Sequence, residues 1–156
     1  MMTITYPVYN GIYVNMTNRC PCACTFCLRH LSDHVQGSDS LWLDREPTVK
    51  EVCDSIDTWD LTKYSEIVFC GYGEPTERLN DLLEVAKYIR LKSDIKIRIN
   101  TNGLADLIWK ESTAPKLEGL VDTVSVSLNA TNKEEYLKVV RPKFGIESYD
   151  AMLRFT

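Results

Sequence analysis

The sequence predicts an α/β chain. Short β-branched runs alternate with helix-like runs, several strands end at glycine or asparagine turns, and the connections are long enough to carry a helix back across a sheet. Strands spaced by helices in this way pair in parallel through right-handed crossovers. With 156 residues, 44% of them hydrophobic, and no low-complexity tract, internal repeat or Pro/Gly linker, the expectation is a single domain over residues 1–156.

The elements follow in order. Ile12 to Thr17 alternates as a strand that leads into a cysteine-rich loop. A polar stretch rich in Ser, Asp and Gly, residues 32–44, reads as loop. Pro47-Thr48-Val49 opens a helix through about Trp59, with Val52, Ile56 and Trp59 at helical spacing. Glu66 to Cys70 is a short buried strand ending at Gly71. A helix over 79–91 turns Leu82, Leu83, Ala86 and Ile89 inward, and Ile95 to Asn100 alternates cleanly as a strand. Helix recurs near Leu104–Trp109, Thr123 to Leu128 is the next strand, and a helix over 132–140 follows. Trp42, Trp59 and Trp109 read as core or rim packing.

Composition narrows the function. A net charge of −4 with no basic run argues against nucleic acid binding by electrostatics alone. No apolar stretch is long enough to span a membrane. Six cysteines without a secretory leader suggest a reducing compartment, which predicts a cytoplasmic protein.

Three of those cysteines carry the chemistry. Cys20, Cys24 and Cys27 form C-x3-C-x2-C, so one short loop offers three thiolates to a single iron–sulfur cube. A 4Fe–4S cluster normally takes four. Three leave one iron open, and an open metal position is where chemistry happens. Zinc would need four ligands, usually as two separated pairs, yet no second C-x2-C exists and Cys53 and Cys70 are isolated. A thioredoxin-like pair, Cys24 and Cys27, would leave Cys20 without a role. Cys22 lies off the spacing and reads as a bystander thiol. His30 and His34, four apart, read as solvated loop residues.

At the end of the second strand, Cys70-Gly71-Tyr72-Gly73-Glu74-Pro75 supplies glycines for a sharp turn or a close backbone approach. Glu74 supplies a carboxylate whose natural partner is an ammonium group. Thr76 occupies the third glycine position of a dinucleotide fingerprint, so that reading fails. In α/β folds the reactive surface lies at such carboxyl ends.

Cys20-x3-Cys24-x2-Cys27, with Phe26 before the last cysteine, resembles the signature of the radical S-adenosylmethionine (radical SAM) superfamily. The resemblance implies a partial (β/α) barrel with about four strand–helix units present here. It implies a 4Fe–4S cluster and S-adenosylmethionine as cofactors, the open iron being chelated by the amino and carboxylate groups of S-adenosylmethionine. An electron from the cluster, with a potential around −400 mV for ferredoxin-type clusters, would split the sulfonium to methionine and a 5′-deoxyadenosyl radical that abstracts hydrogen from a substrate. A reductant such as flavodoxin or ferredoxin is the implied partner.

The turn at Gly71, Gly73 and Glu74 looks like that family's second motif, which holds the methionine amino group. The resemblance also suggests cofactor or substrate contacts from Asn100 and Asn102 at the third strand tip, against an Asn-Gly turn and cap. It suggests the same for Ser127 and Asn129 on the polar face of the fourth strand, against interior packing. Arg141 would pair with the cofactor carboxylate, or serve the helix dipole at a C-terminus. Tyr13 to Arg19 and Asp39 to Thr48 are similar to the TatD-associated radical SAM group, which implies a functional link to TatD-type hydrolases. The chain stops in an apolar-periodic segment, residues 151–156, which predicts a truncated frame. The alternatives are a non-catalytic iron–sulfur or zinc module for redox sensing or partner binding, and an inactive fragment that binds only the cluster.

Overall fold

The computed structural model describes residues 2–20, 22, 41–128, 130 and 132–156. Among them, five strands form one sheet in chain order: β1 (Thr5–Val8), β2 (Gly11–Val14), β3 (Glu66–Phe69), β4 (Lys96–Thr101) and β5 (Thr123–Val126). β2 to β5 are mutually parallel, as the spacing of strands and helices requires. β1 was not foreseen. It closes an antiparallel hairpin with β2 through Tyr9, at φ 50, and Asn10. Pro7 weakens its strand signal, but a proline is tolerated there because β1 is a sheet edge.

The helices are α1 (Val49–Asp57), α2 (Leu79–Lys92), α3 (Ala105–Trp109), α4 (Lys133–Val140) and α5 (Glu147–Phe155). Register decides which side of the sheet is core. Val14, Phe69, Ile99 and Val124 lie abreast, as do Ile12, Ile67 and Ile97 one step earlier. They pack against Val52 and Ile56 of α1 and Leu82, Val85, Ala86 and Ile89 of α2. The opposite face carries Tyr13, Val68, Arg98, Asn100 and Ser125, so the parallel strands put apolar residues under the helices and mostly polar ones on the other face. On that polar face Arg98 Nη2 donates to Glu66 Oε1 at 3.0 Å and to the Tyr13 hydroxyl at 3.3 Å.

α1 begins where its sequence says it should. Thr48 accepts from Glu51 N at 3.1 Å, and Glu51 Oε1 accepts from Thr48 N at 3.1 Å, a reciprocal cap. Arg45 pairs with the same glutamate, and these bonds lower its carboxyl to about 2. Thr48→Ala is expected to cost about 1 kcal/mol, read as a lower urea midpoint at unchanged m-value.

Candidate functional site

The site lies where β2, β3 and β4 end together. β2 continues extended through Asn15, Met16 and Thr17, all buried, before it reaches Cys20. A second segment, residues 41–46, runs back beside this exit and is strapped to it. Asn15 Nδ2 donates to Leu41 O at 2.8 Å. Asn18 clasps Leu43 from both sides, donating to its carbonyl at 2.8 Å and accepting from its amide at 3.0 Å. Arg19 Nε donates to Glu46 Oε2 at 2.7 Å, and Thr17 donates to the same carboxylate. Burial raises the Glu46 carboxyl, but the bonds from Arg19 and Thr17 outweigh it and hold the group below its ordinary value. Both ends of the cysteine-bearing stretch are therefore anchored on β2.

The turn after β3 packs on that anchor. A Cβ on Gly71 would lie 2.2 Å from Asn15 Oδ1, and one on Gly73 would lie 2.1 Å from Thr17 O and 2.8 Å from Arg19 O. Neither glycine needs a positive φ, so the requirement is close approach alone. Glu74 N donates to Arg19 O at 2.7 Å, which ties the turn to the last residue before Cys20. Sequence reasoning took these glycines as room for a ligand; in the fold the partner they admit is the root of the cysteine loop.

Glu74 is 4% exposed and joins the β3 and β4 ends. Its Oε2 accepts from Thr76 N at 3.0 Å, Thr76 Oγ1 at 2.6 Å and Thr101 Oγ1 at 2.8 Å, and its Oε1 accepts from Asn102 N at 2.7 Å. Burial pushes this carboxyl above its ordinary value while the donated bonds pull it back. It has no cationic partner among the described residues. Thr76 is held in turn by Trp109, whose Nε1 donates to Thr76 O at 2.6 Å. Thr76 and Thr101 were missed from sequence, where a threonine beside a glycine-rich turn carries no distinguishing signal. Glu74→Ala would strand several buried donors at about 1–3 kcal/mol each when no substitute partner is found. The expected result is a large loss of thermal stability, seen by calorimetry even without any cofactor.

Asn102 sits at the β4 tip with Oδ1 on Leu104 N at 3.0 Å and Nδ2 near two sulfurs, 3.5 Å from Cys22 and 3.9 Å from Cys20. Neither cysteine forms a disulfide among the described residues. Asn100 lies on the polar face and hydrogen-bonds the Cys70 thiol, which burial pushes up so that it stays protonated. Ser127 is exposed just beyond β5, and its amide donates to Thr101 O at 2.9 Å. Arg141 is the exposed C-cap of α4 in the left-handed region, φ 48 and ψ 59, with its amide on Leu137 O at 3.3 Å. The next residue, Pro142, makes an isolated bridge with Cys22, so the α4 end is laid against the cysteine loop. Cys24, Cys27, His30, His34 and Asn129 lie outside the described residues.

The donor set near Cys20 fits a thiolate-bound cluster. Cys20 stands at the carboxyl ends of parallel strands with an amide donor facing its sulfur, and hydrogen bonds to sulfur are among the features that tune such clusters. No helix among the described residues is long and apolar enough to cross a membrane.

Comparison with known proteins agrees with this arrangement. The family model described as Radical SAM superfamily matches residues 14–155. The chain is also 26% identical over 133 residues to a probable dual-specificity RNA methyltransferase RlmN of Staphylococcus carnosus (strain TM300). That match covers 80% of this chain and 34% of the relative, so the chain spans about a third of that protein's length.

Proposed function

The chain belongs to the radical SAM superfamily, and on that footing we propose that it is the core domain of a radical S-adenosylmethionine enzyme in which Cys20, Cys24 and Cys27 hold the cluster. Proteins of this superfamily use a 4Fe–4S cluster and S-adenosylmethionine. When bound, these groups supply a one-electron cleavage of a sulfonium carbon–sulfur bond and the hydrogen abstraction that follows it.

The observation that carries the proposal is Glu74, a buried carboxylate at the strand mouth with no cation among the described residues. A charge out of water needs a partner. Each carboxylate oxygen offers about two acceptor positions; Oε2 takes three donors, while Oε1 takes one among the described residues, from Asn102 N. An ammonium group is the ligand chemistry that completes the set, which supports Gly73 and Glu74 as the turn that receives the methionine amino group. Glu74 also holds the β3 and β4 ends in fixed relation, so the receiving turn is rigid before any ligand arrives. Asn100, Asn102, Ser127 and Asn129 remain the candidates around the sugar and substrate. Arg141, beside the bridge to Cys22, is the candidate for the cofactor carboxylate; bidentate pairing is what a guanidinium offers there.

The finer assignment is the TatD-associated group, supported by Tyr13 to Arg19 and the segment reaching Thr48. These two segments are the ones the fold straps together through Asn15, Asn18 and Arg19. We propose a reductant of flavodoxin or ferredoxin type and a functional link to a TatD-type hydrolase. The net charge of −4 and the absence of a basic run do not favour extending the relative's RNA substrate to this chain.

The test is anaerobic reconstitution with iron and sulfide, reduction by dithionite, and addition of S-adenosylmethionine. Equal amounts of 5′-deoxyadenosine and methionine are expected. A reconstituted, reduced protein that binds S-adenosylmethionine but never cleaves it would sink the enzymatic reading.

A further inference from the structure

Asn102 is held at two points in a way that leaves one group aimed at the cysteines. Its backbone N–H donates to Glu74 Oε1 at 2.7 Å. Its side-chain oxygen accepts from Leu104 N at 3.0 Å, which decides the orientation of the carboxamide. The flipped amide would set its N–H2 against that backbone N–H and lose the bond from Leu104 N. Nδ2 therefore faces Cys22 Sγ at 3.5 Å and Cys20 Sγ at 3.9 Å.

The platform beneath it has little room to shift. Gly103 follows at φ 79, its amide on Thr101 Oγ1 at 3.1 Å. A Cβ added there would lie 2.9 Å from both Met152 Cγ and Val126 Cγ1. Thr101 is itself bound to Glu74. The amide donor is thus presented by a braced strand tip.

We propose that Asn102 is a positioning residue whose side-chain N–H donates to the sulfur of Cys20 and raises the reduction potential of the cluster that Cys20 helps to hold. The inference rests on the cluster reading above and differs from the sugar contact expected for Asn102 from sequence. Its physical basis is that a donated hydrogen bond stabilises the more electron-rich, reduced cluster over the oxidised one, since bonds to sulfur are among the determinants of cluster potential. Cys22, which shares the donor, is an apolar-packed thiol beside Leu104, Tyr136 and Met152.

Three variants separate donor chemistry from packing. Asn102→Asp keeps an oxygen for Leu104 N but replaces the donor with a charge; Asn102→Ala removes both; Asn102→Ser keeps a short donor. Each would be reconstituted anaerobically and its midpoint measured by a redox titration followed by electron paramagnetic resonance. The expected result is that Asn102→Ser, whose hydroxyl donor is shorter, loads a cluster with a midpoint between those of the unmodified protein and Asn102→Ala. Asn102→Ala and Asn102→Asp load clusters with lower midpoints, Asp the lower. At the unmodified protein's midpoint, Asn102→Asp is expected to show an about tenfold smaller reduced-to-oxidised ratio, which is about 59 mV for one electron.

If Asn102→Ser alone retains a cluster, a donor is needed and the proposal stands. An unmoved midpoint in loaded Asn102→Asp overturns it, as does failure of all three variants to load while the unmodified protein loads. An unmodified chain that takes up no iron and sulfide sinks the cluster reading instead, so the two failures are distinguishable.

Discussion

Cys24→Ala abolishes the brown chromophore of anaerobically reconstituted protein, whereas Cys22→Ala keeps it. This is the largest effect expected of any single substitution here, and the pair is informative because the two positions are two residues apart. On the proposed ligand set three thiolates would be the whole protein contribution to the cluster, so losing one of three would leave two irons without protein donors. Iron and sulfide per chain should fall to near background in Cys24→Ala. Cys22 has a different task in the fold. It is buried, bridges Pro142 and packs with Leu104, Tyr136, Val140 and Met152. Its replacement by alanine is a modest loss of packing, about 1 kcal/mol by the general run of substitutions, visible as a small drop in Tm. Absorbance near the visible shoulder and iron analysis decide the matter. A chromophore lost in Cys22→Ala and kept in Cys24→Ala overturns the C-x3-C-x2-C ligand set.

Gly73→Ala gives the second largest effect. The added methyl would stand 2.1 Å from Thr17 O and 2.8 Å from Arg19 O, backbone atoms with no side-chain freedom to yield. Thr17 and Arg19 are both tied to Glu46, and Glu74 N is tied to Arg19 O, so the turn and the loop root must separate together. Overpacking of this kind costs about 1–3 kcal/mol or more. The functional cost is expected to be larger, because the separation moves the turn proposed to receive the amino group away from Cys20. A displacement of about 1 Å at reacting groups can cost about a hundredfold in rate. The expected outcome is a folded protein with weakened cluster retention and S-adenosylmethionine cleavage reduced by about that factor. Gly11→Ala is the control: a Cβ there meets Tyr13 Cε1 at 3.3 Å and Glu66 Cγ at 3.4 Å, side-chain atoms that can give, and Glu66 O at 3.6 Å, an ordinary contact. Equal behaviour of the two variants would show that the close approach at Gly73 is unimportant.

These two results bear on different kinds of knowledge. The C-x3-C-x2-C spacing of Cys20, Cys24 and Cys27 is a local property, legible in one pass, and the proposal of a cluster wrapped by chain neighbours rests on it. The alternation in Ile95 to Asn100 was equally legible, since a strand buried on one face repeats every two residues, and β4 runs over Lys96–Thr101. The Thr48 cap announced α1 by the chemistry of its first turn.

Other features had no local signature. β1 carries a proline and gained its place only by pairing with β2. Leu41 and Leu43 sit in a segment read as polar loop, yet both are buried because Asn15 and Asn18 hold their backbone against β2. What the sequence alone determined was the α/β alternation, the cysteine spacing and the presence of a carboxylate after a glycine turn, all set by neighbours along the chain. Only the tertiary structure decided that Gly73 admits Thr17, that Glu74 is bonded to Thr101 and Asn102, and that Asn102 aims its amide at Cys20. Those contacts join residues from about 30 to over 80 positions apart, and no pattern within one segment encodes which distant backbone will close upon it.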